Sequence, residues 1–295
     1  MNLVELNGRF STEDKCREFL KRLRWPKGVE CPRCKSKKIS RLFTQKKFEC
    51  SECAYQFSVT VGTIFHDSHL PLDKWFLATY LICDSRKGIS ANQVKRMLGI
   101  SYKTAWFLCH RIRQAMMAAN GNDGKLTGVV EIDDTWIGGK KEGMGAGYKK
   151  NKAVVVGMIE RGGRLRLVAV PSLSAKSIGK AVRKHISKDI DLIISDEWAA
   201  YVPALGPQYK RKYRRIKHAK TYVEGDIHTN SIENAFSLLK RGIIGTWHNI
   251  SVKHLQRYLD EMSFRFSQRK SDTLFVDTLR QLVSTPNITF EKLTA

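Results

Sequence analysis

An α/β architecture, in which a mixed sheet flanked by helices follows a cysteine-rich segment and a helical module, is what this sequence predicts. Three observations carry the prediction. Past Asn120-Gly121-Asn122-Asp123-Gly124, a turn or linker signal, three strand-like runs precede a helical stretch and a further strand. Before it, two Cys-x-x-Cys pairs interrupt a region too poor in apolar residues to fold by burial alone. Between the two lies a stretch of about 50 residues rich in helix formers.

Taken in order, Ser11 and Thr12 precede Cys16, Phe19, Leu20 and Leu23 at helical spacing, and Trp25-Pro26 ends the run, so a short capped helix is expected. From Gly28 to about Phe57 the two cysteine pairs dominate. Pro71 can open a helix through Trp75 and Ile82, and Ser90 to Trp106 has the layout of a helix-turn-helix. There Val94, Met97 and Leu98 are expected inside, Gly99 at the turn, and Ser101 as the cap of a second helix with Ala105 and Leu108 inward. An ordinary helical hairpin would use the same caps. Val129 to Ile132 reads as a strand ending at Asp133, followed by strands Ala153 to Ile159 and Leu165 to Val170 joined by Arg161-Gly162-Gly163. A helix around Ala175 to Ile186, a buried strand Leu192 to Ile194 running into Ser195-Asp196, and helices Ser231 to Arg241 and Val252 to Arg265 complete the pattern. The expected organisation is helix and ribbon at 1–60, helical module at 61–120, sheet domain at 121–270 and a tail at 271–295.

Lys+Arg 52 against Asp+Glu 28 leave a formal net charge of +24, far more than solubility requires, so a polyanion is the first partner to consider. Hydrophobic residues at 42% and charged residues at 27% are near globular averages, which excludes a disordered basic tail as the whole molecule. No apolar run suggests a membrane span and the N-terminus lacks a signal layout, so a cytoplasmic location is expected.

The most specific motif is Cys31-Pro-Arg-Cys34 with Cys50-Ser-Glu-Cys53. Four thiolates in two knuckles close a tetrahedral site, and the intervening length suits a pair of strands, so one structural zinc ion is expected. Cys16, Cys83 and Cys109 fall on apolar helical faces and read as core residues. Asp133 and Asp196 are carried out by apolar strands, where a rigid sheet can aim both at one metal site, although either could serve a strand-end turn. Asn230, Glu233 and Lys240 share one face of a helix whose opposite stripe is Ile232, Phe236 and Leu239. Asn230 and Glu233 also match a capping box, which would leave Glu233 serving the helix alone. Tyr102, Lys103 and Thr104 open the second helix of the helical module, where recognition helices reach base edges. Lys212, Arg214, Arg215 and Lys217 belong to a basic run that reads as a strand with Lys212 and Arg214 on one face, which the alternation lets Ile216 share, suited to a phosphate backbone. Lys240 and Arg241 extend the basic surface, and Trp247-His248 is placed either to stack on a base or to fill the core.

These motifs, in this order from about Leu20 to Arg269, resemble bacterial insertion-sequence transposases of the DDE class that carry an N-terminal zinc ribbon. The resemblance rests on the ribbon, Glu131-Ile-Asp133-Asp-Thr-Trp-Ile-Gly-Gly-Lys140, the strand ending in Asp196, His228-Thr-Asn230 through Lys240-Arg-Gly242, and Gly245-Thr-Trp-His248. It implies a ribonuclease-H-like catalytic domain that uses two Mg²⁺ or Mn²⁺ ions to cut double-stranded DNA at the element's ends and join them to a target. Carried over, Asp133 and Asp196 are the first two acids. Asn230 and Glu233 both stand where the family places its third ligand, and Glu233 is favoured because a carboxylate binds Mg²⁺ better than a neutral amide. Bringing two ends together implies a homodimer or higher assembly on DNA. A non-catalytic DNA-binding regulator derived from such an enzyme, or a related nuclease or resolvase, are the alternatives.

Overall fold

The computed structural model describes residues 1–138, 152–216 and 228–295. The chain forms two compact units, one of Met1–Ser85, Ile89–Ala118 and Ser271–Ala295, the other of Arg86–Gly88 and Ala119–Lys270.

In the first unit, α1 (Leu3–Arg9) starts at a capping box between Asn2 and Glu5, and α2 (Glu13–Arg24) is capped by Thr12, whose hydroxyl accepts from the Lys15 amide. Strands β1 (Ile39–Leu42), β2 (Lys47–Cys50) and β3 (Gln56–Phe57) make a small antiparallel sheet in that order. Trp25, Phe48, Tyr55 and Phe57 pack with Cys31 and Cys50 in its minor core. Helices α3 (Leu72–Asp84), α4 (Ala91–Leu98) and α5 (Tyr102–Asn122) follow. The expected caps form: the Ser90 hydroxyl accepts from the Gln93 amide, Gly99 adopts the left-handed conformation at φ 62°, and the Ser101 hydroxyl accepts from the Thr104 amide. Val94 and Leu98 are buried, but Met97 is half-exposed, because the short α4 turns only one stripe inward. The turn expected at Asn120 to Gly124 begins later, since α5 continues to Asn122 and the Asn120 amide donates to the Asp260 carbonyl.

The second unit is built on a five-stranded mixed sheet: β4 (Val129–Ile137), β5 (Ala153–Glu160), β6 (Leu165–Val170), β7 (Leu192–Ser195) and β8 (Tyr213–Arg215). Their order is β6-β5-β4-β7-β8, with β5 antiparallel to its neighbours and β4, β7 and β8 mutually parallel. That is the ribonuclease-H arrangement, and alternation along β4 separates two cores. Val130 and Ile132 pack with α6 (Ala175–His185) and α7 (Tyr201–Leu205) on one face. Ile137, with Val155 and Ile159 of β5, packs with α8 (Asn230–Gly242) and α9 (Val252–Ser267) on the other. Trp247 belongs to this second core, edge-on to Tyr258 at 5.1 Å, which removes it from base stacking.

Residues 271–295, expected as a tail, hold α10 (Leu274–Ser284) and α11 (Phe290–Thr294) within the first unit. Phe275, Leu279 and Leu282 give α10 an apolar stripe, and Phe275 meets Phe10, Phe76 and Tyr80. Among the described residues no helix is long and apolar enough to cross a membrane.

Candidate metal centres and nucleic-acid surfaces

The two cysteine knuckles are copies of one local structure. Lys35 donates its amide to the Cys31 carbonyl and Ala54 to the Cys50 carbonyl, both at 2.9 Å, and both residues have positive φ, 63° and 53°. Backbone amides of Arg33 and Cys34 point at the Cys31 sulfur, and those of Glu52 and Cys53 at the Cys50 sulfur, as suits thiolates. The Sγ atoms of Cys31 and Cys53 are 3.7 Å apart, those of Cys34 and Cys50 3.5 Å, and all four lie within 4.8 Å of one another. Zinc–sulfur bonds of about 2.3 Å in a tetrahedron put the sulfurs roughly 3.8 Å apart, so the quartet fits a zinc ion.

The carboxylate site is set by the sheet. The strand that was expected to end at Asp133 runs on to Ile137, because Thr135 and Ile137 continue the buried alternation and pair with β5. Asp133 therefore sits mid-strand on the α8 face. Parallel pairing of Ile132 with Ser195 puts Asp196, the next residue beyond β7, beside it. Asp134 points to the opposite face, where the buried Tyr201 hydroxyl donates to it at 3.0 Å. Burial raises the Asp133 carboxyl to about 7; the Asp134 amide, at 2.7 Å, works against this, and the negative charges of Asp196, Asp134 and Glu233 add to it. A desolvated carboxyl repelled by its neighbours is a site that a divalent cation relieves.

On α8, Asn230, Glu233 and Lys240 lie on the exposed side, while Ile232, Phe236 and Leu239 are buried against the sheet. The capping box does not form. Thr229, not Asn230, occupies the cap position and makes no side-chain cap bond, so Glu233 is the fourth helical residue and accepts from the Thr229 hydroxyl at 2.9 Å. The amides a cap would satisfy, those of Ser231 and Ile232, donate instead to the fully buried Glu131 of β4 at 2.8 and 3.1 Å. Sequence reasoning missed this residue, although a glutamate at an inward position of an apolar strand was a signal. It also missed Gly157, which stands across from Asp133 on β5 and lets Ile232 and Phe236 of α8 approach the sheet.

The expected DNA-contacting residues divide between the units. Tyr102, Lys103 and Thr104 are exposed at the start of α5. Thr104 shares the cap with Ser101, and the Lys103 ammonium lies 4.7 Å from the Phe290 ring centroid. In the second unit the basic run is not one strand. Among its described residues, Pro207–Lys212 is a 3₁₀ turn begun by Gly206-Pro207, Tyr213–Arg215 alone is strand, and Ile216 is buried rather than sharing an exposed face with Arg214. Arg214 and Arg215 are exposed, as are Lys240 and Arg241 of α8; Lys217 lies outside the described residues.

Residues 11–56 match the transposase zinc-ribbon domain and residues 125–267 the ISXO2-like transposase domain. Over 277 residues, 87% of this chain and 91% of the relative, the sequence is 27% identical to an uncharacterized protein in transposable element ISH50 of Halobacterium salinarum. Among solved structures, a Mos1 mariner paired end complex with Mn is 10% identical with a TM-score of 0.29, covering 71% of this chain and 75% of that one. A pre-cleavage Mos1 transpososome is 11% identical with a TM-score of 0.27, covering 72% and 79%. A match to a transposase zinc-ribbon domain followed by one to an ISXO2-like transposase domain makes the chain similar to transposases of insertion-sequence type.

Proposed function

We propose that this protein cuts double-stranded DNA at the ends of its own element and joins the freed ends to target DNA, using two Mg²⁺ or Mn²⁺ ions held by Asp133, Asp196 and Glu233. The supporting observation is electrostatic: burial and the charges of Asp196 and Glu233 raise the Asp133 carboxyl together. Ions held there would supply activation of an attacking oxygen and stabilisation of a leaving one, a chemistry that needs no covalent nucleophile. Asp133 on β4, Asp196 just beyond β7 and Glu233 on α8 would hold them. Lys240, two turns along α8 from Glu233, would contact a phosphate of the end being cut. Arg214, Arg215 and Arg241 would neutralise backbone phosphates, and Tyr102, Lys103 and Thr104 would contact the end sequence. Holding two ends implies at least a dimer on DNA.

The experiment compares Glu233→Gln with Asn230→Ala on a duplex carrying the element's end, in Mg²⁺, scoring cleavage, joining to a second duplex and DNA binding. Glu233→Gln is expected to cut at least a hundredfold more slowly with unchanged binding, and Asn230→Ala to keep most of the cleavage. A Glu233→Gln variant that cuts normally, with a folded but inactive Asn230→Ala, makes Asn230 the third ligand. Cleavage without joining reduces the function to that of a nuclease.

A further inference from the structure

We infer that Glu131 is a positioning residue for the carboxylate metal site, acting by tying the α8 N-terminus to the strand that carries Asp133; this role rests on the metal-site reading above. Glu131 is fully buried, and both its oxygens are used. Oε2 accepts from the amides of Ser231 at 2.8 Å and Ile232 at 3.1 Å. Oε1 accepts from Arg161 Nε at 2.9 Å and the Ser231 hydroxyl at 3.0 Å, with His228 Nδ1 at 3.4 Å. The Arg161 guanidinium also donates to the His228 carbonyl at 3.1 Å, so the residues entering α8 are gripped from both sides.

The placement matters as much as the bonding. Glu131 and Asp133 are two apart on one strand and so share a sheet face, and Ile232 directly precedes Glu233. One buried carboxylate therefore sets the spacing between Asp133 on β4 and Glu233 on α8. Helix N-termini leave unpaired amides and carry partial positive charge, which an anion satisfies. Usually the helix supplies its own cap. Here the Thr229 side chain caps nothing, and the sheet supplies the anion. The Arg161 cation offsets the cost of burying that charge without occupying the two oxygens' contacts with α8. Residues that orient metal ligands from behind typically change metal affinity about 10 to 100-fold when altered.

The test uses the full chain with Glu131→Gln, Glu131→Ala and a control, Val182→Ala, which truncates the core on the other face of the sheet. Three quantities are measured: Mn²⁺ affinity by the EPR signal of free ion, end cleavage against Mn²⁺ concentration, and hydrogen exchange of the peptide spanning 229–236. Glu131→Gln keeps the shape but brings an amide against donors. It should raise the Mn²⁺ concentration for half-maximal cleavage roughly tenfold or more, leave the plateau rate within a few-fold, and speed exchange at 229–236. Val182→Ala should lower the melting temperature without moving the metal midpoint. If Glu131→Gln shows the wild-type midpoint and exchange, or Val182→Ala moves the midpoint as far, the positioning role is wrong and the metal site stands. If the wild-type protein binds Mn²⁺ no better than Asp133→Asn does, the metal-site reading itself fails and takes this role with it.

Discussion

Replacing Gly157 by alanine tests how closely α8 must approach the sheet for the carboxylates to act together. Gly157 pairs across the sheet with Asp133, on the face covered by α8. A Cβ built there lies 2.6 Å from Ile232 Cδ1 and 2.7 Å from Phe236 Cζ. Carbon atoms in contact prefer about 3.5 to 4.0 Å, so roughly 1 Å of space has to be found. Both facing side chains are buried, and α8 is held at its start by the two amide bonds to Glu131. Either the helix backs away, stretching those bonds and carrying Glu233 with it, or Ile232 and Phe236 leave their rotamers. Overpacking of this kind costs about 1 to 3 kcal/mol. In a unit of this size that corresponds to a loss of roughly 2 to 12 °C in melting temperature. A displacement of about 1 Å in a catalytic group costs on the order of a hundredfold in rate. The assay pairs thermal melting with end cleavage at saturating Mg²⁺, with Gly121→Ala as control, because that helical glycine has nothing within 4 Å of its missing Cβ. Gly157→Ala should melt lower and cut much more slowly, whereas Gly121→Ala should melt at the same or a higher temperature and cut normally. A Gly157→Ala protein that melts and cuts as wild type would refute the argument that close packing of α8 on β5 sets the site.

Two further outcomes are expected. Because the folded protein holds the Asp133 proton up to about 7 while the unfolded chain releases it near 3.8, the metal-free protein loses stability as pH rises across that window. Asp133→Asn should therefore melt higher than wild type in EDTA at pH 8, by at most a few kcal/mol, with the gain vanishing toward pH 4 and shrinking when Mg²⁺ is added; equal melting at pH 8 in EDTA would contradict the burial and repulsion assigned to this carboxyl. Purified protein should contain one zinc ion per chain. Cys31→Ser or Cys53→Ser should abolish it and increase proteolysis within residues 28–57 while the sheet unit stays folded, as followed by limited digestion.

What the sequence by itself determined is what short-range patterns encode. The knuckle spacing, the caps of α2, α4 and α5, and the alternation in β4 each depend on residues a few positions apart, so the zinc ribbon, the helical module and the α/β character were legible in the chain alone. Asp133 and Asp196 were visible as acids ending apolar strands, and Glu233 as a residue sharing a helix face with Asn230 and Lys240. That Asp133 and Asp196 stand side by side was not, because it depends on β4 lying centrally with β7 parallel beside it at one register, a pairing between residues about 60 apart. The capping box that Asn230 and Glu233 also matched was decided in the same way. Local chemistry offered a capping box, but a sheet glutamate 100 residues earlier in the chain satisfies the helix amides and leaves Glu233 on the open side of α8. Trp247 went to the core and Ile216 inward because burial on folding outweighs what their neighbours in sequence suggest. Tertiary structure decided which polar groups are desolvated and which charges face one another, since desolvation and repulsion act through space rather than along the chain.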